Sequence, residues 1–164
     1  TVWELYFQYQ EGMAFHHQGH YSQAEAIFRR ILASPLLEEE HPQRAVVWNA
    51  LGRNLESQGK LSEGLEALQK ALALKKKYWG EAHPETALTL MALGEMFHAQ
   101  GNFSEAQVHF QDALEIQKLL VGAESLDVAF TLHALAQTQR AQGKYAGALA
   151  SSHAALQIQE KISG

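Results

Sequence analysis

No cysteine occurs among the 164 residues. Disulfide staples, thiolate catalysis and cysteine–zinc sites are therefore excluded, although the compartment stays open. Only three prolines interrupt the chain, and no low-complexity segment breaks it, so it reads as one domain in size. Basic residues are scarce, 13 against 18 acidic ones, and the formal net charge is −5. The sole basic cluster, Lys75-Lys76-Lys77, reads as the solvated outer end of a helix, and nucleic-acid binding is not expected. No run of about 18 apolar residues exists, so no membrane span is expected. No signal peptide is seen; with Thr1 in place of an initiator Met, the chain reads as an excerpt of a longer, cytoplasmic protein.

What the sequence has is a repeat. Gly59, Gly101 and Gly143 are 42 residues apart, as are Leu51-Gly52, Leu93-Gly94 and Leu135-Ala136. Gly12 and Gly19 mark an earlier copy 40 residues before Gly52 and Gly59. A fixed period of this size indicates stacked repeats. The copy from Gly80 to Gly122 holds two amphipathic patterns. Ala87, Leu90, Leu93, Gly94 and Phe97 lie on one helix face from Pro84 or Glu85 to about Gln100; Gly101 stops that helix. A second helix starts near Asn102 or Ser104, both good caps, and carries Ala106, Phe110, Ala113, Leu114, Ile116 and Leu120. Gly94 opposite Ala106 leaves room for a close approach of the two helices, and Phe103 and Phe110 fill the wider gaps. In the last copy Asp127 is expected to cap the helix, and Ser152 stands where the others have Phe28, Leu68 and Phe110.

These residues resemble the tetratricopeptide repeat. Trp48-x-x-Leu51-Gly52-x-x-Leu55 is similar to its first half, and Gly101-x-Phe103-x-x-Ala106-x-x-x-Phe110 to its second. Gly19-x-Tyr21-x-x-Ala24-x-x-x-Phe28 and Gly143-x-Tyr145-x-x-Ala148 repeat the latter. The 42-residue unit, with Gly80, His83, Pro84 and Ala87 in its linker, resembles the kinesin-light-chain subgroup. The resemblance implies an all-α, right-handed superhelical solenoid of four antiparallel helix pairs. The repeats span about 1–37, 42–79, 84–121 and 126–163 of a single array.

The resemblance also implies that the first helix of each pair lines a concave, partner-binding face. Register then names Tyr6, Tyr9, Met13 and His16 in the first pair, and Asn49, Arg53 and Glu56 in the second. Leu88, Met91, Glu95 and His98 follow in the third pair, and Phe130, His133, Gln137 and Arg140 in the fourth. Met91 and Phe130 are expected to be exposed, giving adaptable apolar area, while Arg53 and Arg140 suit a carboxylate. The lysine–asparagine clamp of chaperone-tail-binding relatives is not matched, since Tyr9, Met13, Ala50, Leu88 and Ala92 occupy its positions. Of the paired asparagines typical of kinesin light chains, only Asn49 remains.

Nine histidines invite a metal reading, but His16, His17 and His20 lack the glutamate of an H-E-x-x-H site. No nucleophile–base–acid set and no phosphate loop is legible. The expectation is a non-enzymatic scaffold without metal or cofactor, holding a protein or peptide in its groove. The alternative is a structural segment with an empty groove, self-associating through the apolar end helix at Leu156, Ile158 and Ile162.

Overall fold

The computed structural model describes all residues, 1–164, as eight α-helices with no strand. They are α1 (Val2–His17), α2 (Tyr21–Leu32), α3 (Gln43–Ser57), α4 (Leu61–Trp79), α5 (Pro84–Ala99), α6 (Phe103–Val121), α7 (Leu126–Ala141) and α8 (Tyr145–Ser163). The chain divides into two compact units, Thr1–Tyr78 and Trp79–Gly164, each holding two helix pairs.

Within a pair the turn is made by backbone. Gly101 takes φ +79°, a left-handed conformation that glycine adopts without strain. Its N–H donates to His98 and the next, from Asn102, to Phe97 at 2.9 Å, closing the end of α5. Asn102 therefore caps α6 without using its side chain. At the start of α5 the fit is different: Pro84 occupies the first helical position, and the His83 ring accepts from the Glu85 N–H at 3.1 Å. Ser125, not Asp127, caps α7, its hydroxyl accepting from the Val128 N–H at 3.2 Å. The shorter serine side chain, two residues earlier, lies in extended backbone from which its oxygen reaches the N–H three residues on.

Contacts run in opposite senses along the two helices of a pair, His98 against Phe103 and Gly94 against Phe110, so each pair is an antiparallel hairpin. The centre of each of the first three hairpins is a glycine meeting a large side chain. A methyl group on Gly12 would come within 2.7 Å of the Phe28 ring, and one on Gly94 within 2.5 Å of Phe110. On Gly52 it would come 2.7 Å from Leu68 and 3.1 Å from the Gly64 carbonyl. The fourth pair changes both members: Ala136 stands at the glycine position and exposed Ser152 at the large one.

In the first unit, Ala24, Ile27, Phe28 and Ile31 of α2 share a buried cluster with Val47, Leu51 and Leu55 of α3. Arg44 closes the far end, donating to the carbonyls of Leu32 at 2.8 Å and Leu37 at 3.3 Å. Glu25 ties the two pairs together, accepting from Gln58 at 2.8 Å, Lys60 at 3.1 Å and Arg29 at 2.9 Å. Partial burial alone would raise this carboxyl. The three hydrogen bonds and the Lys60 charge outweigh it and lower the pKa from 4.5 to about 2.

In the second unit, Ile158 packs with Val128 and Ala129, beside Leu114 and Leu132. It is thus buried by its own unit, unlike the expectation of an apolar stripe through Leu156, Ile158 and Ile162. Only Leu156 and Ile162 are exposed, because α8 turns the Ile158 face onto α7. The lysine cluster also differs from the solvated reading. Lys76 and Lys77 are exposed, Lys77 pairing with Glu40, but Lys75 is 1% exposed. Three consecutive helical residues cannot share one face, and the first of them points inward.

Two expectations follow. Gly94→Ala lowers unfolding stability by about 1–3 kcal/mol through overpacking. Combined with Phe110→Ser, it costs less than the sum of the single changes, because alanine opposite serine is the arrangement the fourth pair uses; urea titration of the four proteins measures the coupling. Glu25 is depressed, so its contribution is full above pH 4.5 and disappears as pH falls towards 2. Acid titration of stability between those values is therefore steeper in the native chain than in Glu25→Gln.

Candidate functional site

In the first unit, α1 and α3 lie side by side. The His16 Nδ1 is 2.9 Å from the Asn54 Oδ1, and the Asn54 amide donates to the Tyr21 carbonyl at 2.8 Å. Asn54 is fully buried and satisfied on both sides, so His16 is spent on joining the two pairs rather than free to meet a partner. Towards the other end of the same helices a cleft of about 460 Å³ opens. Tyr6, Tyr9, Val46 and Val47 form its walls, with Ile31 and Leu37 behind and the amides of Gln10 and Gln43 at its edge. The Tyr9 ring leans on Phe28 at 6.0 Å between centroids, which fixes one wall to the core. No charged side chain lines the cleft.

Of the residues assigned to this face by register, Tyr6 and Tyr9 thus come together. Met13 is half-buried and packs against the core. Asn49 and Glu56 are half-buried and Arg53 is exposed; all three make polar interactions of their own. Val46 was missed. It occupies the register position of Tyr6, Leu88 and Phe130, and aligning the four pairs at that position finds it.

In the second unit, α5 and α7 are related in the same way. His98 Nδ1 lies 3.0 Å from the Thr138 hydroxyl, so His98, like His16, joins two pairs. Leu88 and Phe130 are exposed. Met91 is not: it is 6% exposed, and its sulfur is 3.2 Å from the Thr131 hydroxyl. The expected exposure of Met91 is overturned because α7 packs over that turn of α5. Glu95 is half-buried with polar partners. His133 and Gln137 bond one another at 3.2 Å, and with Arg140 they line a separate hollow between α7 and α8. No group of histidine and carboxylate side chains is arranged to hold a metal ion.

Three overlapping stretches, residues 7–77, 43–119 and 85–161, match the tetratricopeptide repeat profile. The chain belongs to the tetratricopeptide repeat family. A comparison with curated proteins finds no match. Among solved structures, BtubC (BKLC) from P. vanneervenii is similar over 98% of this chain, with 21% identity and a TM-score of 0.90. The chain spans 65% of that protein's length. A putative kinesin light chain from Podosopora anserina, with nearly identical TPR-like repeats, is 24% identical over 97% of this chain and 76% of its own, with a TM-score of 0.84. The apo form of RapI is 20% identical over 99% of this chain and 58% of its own, with a TM-score of 0.87. At these identities the likeness carries the fold: an all-α tetratricopeptide solenoid of the kind seen in kinesin-light-chain-like proteins. The tetratricopeptide family is one of protein-interaction scaffolds rather than enzymes. No helix is long and apolar enough to cross a membrane.

Because Met91 is buried, Met91→Ala behaves as a core truncation and lowers unfolding stability by about 2–5 kcal/mol. Leu88→Ala, three residues away on the exposed face, changes it by less than about 0.5 kcal/mol. Paired urea denaturation curves distinguish the two.

Proposed function

We propose that the first-helix face of this tetratricopeptide chain holds a segment of a partner protein, anchored in the cleft between α1 and α3. The observation that carries the reading is the cleft itself. It is about 460 Å³, walled by Tyr6, Tyr9, Val46 and Val47, and without a charge. Such a space takes one large apolar side chain, and filling it contributes about 1.5–3 kcal/mol. Gln10 and Gln43 at the edge offer amide donors and acceptors for the backbone on either side of that anchor. Arg53 adds an exposed cation on α3, suited to a carboxylate further along the segment. Within the second unit, taken by itself, Leu88 and Phe130 are exposed at the matching register positions. His16, His98 and Met91 are not contact residues in this proposal, since each is occupied within its own unit.

The partner class follows from the lining: a segment with an aromatic or long aliphatic anchor, rather than one held chiefly by charge. Peptides selected from a random library against the chain and measured by fluorescence anisotropy test this. The double change Tyr6→Ala with Val46→Ser weakens the selected peptides at least about tenfold, or about 1.4 kcal/mol. Leu119→Ser, an exposed apolar residue on α6, leaves them unchanged. Selected peptides that bind the double variant as tightly as the native chain overturn the assignment.

A further inference from the structure

A hollow of about 670 Å³ lies between α6 and α8, with the first half of α7 as its floor. Val128 and Leu132 of α7 and Ala154 and Ile158 of α8 give it an apolar lining. Lys118 stands on its α6 side and Glu160 on its α8 side. Both charges are uncommitted, since neither makes an ion pair within the chain. Beside them Lys161 is already held by Glu124 at 2.6 Å.

Two periods of 42 residues earlier, the same place is filled. Arg44, Trp48 and Lys70 of the first unit stand where Val128, Leu132 and Ala154 stand in the second. Trp48 packs against the buried cluster, and the Lys70 ammonium lies 4.4 Å from the centroid of its ring. Arg44 spans the carbonyls of Leu32 and Leu37. Each of these side chains is larger than its counterpart in the second unit, and the hollow is the space they would take.

Exposure on this side is not peculiar to α8. Its lining residues Gln157 and Lys161 match Ala73 and Lys77 of α4, and Glu115 and Leu119 of α6. All four matching residues are exposed, although a further pair follows each of those helices. The helix that follows packs on another side of its predecessor. Gln117 of α6 accepts from the Thr131 hydroxyl of α7 at 2.6 Å, and the α8 residue at its position, Gln159, does not line the hollow.

We infer that this hollow receives an extended segment of a partner protein, built on an aromatic side chain with a carboxylate on one flank and a cation on the other. The ring lies over Leu132 and Ala154, in the place that the Trp48 indole holds in the first unit. The carboxylate meets Lys118 and the cation meets Glu160. Two residues of extended chain span about 7 Å on either side of the ring, which carries long charged side chains to both helices. A segment charged with one sign only would set a like charge against one of the two rims, and opposite rims therefore select a mixed partner. The hollow shares no residue with the α1–α3 cleft, so its occupant is independent of the segment held there.

The probe is the capped peptide Gly-Asp-Gly-Trp-Gly-Lys-Gly, with a form carrying Ala for Trp, a form with Asp at both charged positions and a form with Lys at both. Calorimetric titration into the full 164-residue chain is expected to show the Trp peptide binding at least about tenfold tighter than the Ala form. Its advantage over each single-sign form is about two- to fivefold, the size of one exposed ion pair. The chain variant Lys118→Glu turns the preference to the doubly basic peptide, and Glu160→Lys turns it to the doubly acidic one. Leu132→Trp with Ala154→Lys, which fills the hollow as in the first unit, removes the advantage of Trp over Ala while circular dichroism confirms the fold. Equal binding of the Trp and Ala forms, or charge variants that keep the native preference, overturns the proposal. Loss of the Trp peptide in the Tyr6→Ala, Val46→Ser chain also overturns it and assigns that peptide to the α1–α3 cleft instead. Sedimentation showing self-association that Leu132→Trp with Ala154→Lys abolishes overturns it as well, since a second copy would then be the occupant.

Discussion

A glycine on one helix pressed against a large side chain on the next is the contact from which the rest of each unit follows. Gly12 with Phe28, Gly52 with Leu68 and Gly94 with Phe110 set how near the two helices of a hairpin stand. Ridges and grooves then have little freedom, because interiors are packed to crystal density and a single methyl group has nowhere to go. The separation within a hairpin in turn places its outer residues. Thus Tyr9 leans on Phe28, and the α1–α3 cleft inherits a wall that is part of the core.

The junctions between pairs inside each unit are held differently. They combine buried leucines with a few polar links, His16 to Asn54, His98 to Thr138, and Glu25 to Gln58 and Lys60. These links have exact positional demands, which apolar contacts lack. A slip of α3 by one turn along α2 would leave Asn54 buried without partners, costing about 1–3 kcal/mol for the orphaned group. Apolar burial supplies the driving force, and the polar links choose the register.

Much of this was legible in the residues. The spacing of Gly12, Gly52, Gly94 and Ala136 located the four hairpins, and α5 starts at Pro84, one of the two residues the sequence offered for it. What escaped lies one level down, in which side of a helix a neighbour covers. Met91 falls at a position that faces outward in an isolated hairpin, yet α7 lies over it. His16 and His98 looked like groove residues for the same reason, and Lys75 looked solvated because its two neighbours are. Periodicity reports the face that a helix turns to its own partner; burial by the following pair leaves only a faint second signal. The capping error at Asp127 was of another kind: Ser125 and Asp127 are both competent caps, and backbone conformation decides between them.

The paired identities at the heart of each hairpin also bear on descent. Glycine with phenylalanine and alanine with serine are both well filled or tolerably open, but the two mixed states are not equivalent. Alanine opposite phenylalanine is overfull, whereas glycine opposite serine leaves a void. A lineage moving from one solution to the other must pass through a weakened intermediate, and the underfilled one is the gentler path because surrounding side chains can lean inward. On packing grounds alone, loss of the ring before gain of the methyl group is the less costly order of exchange.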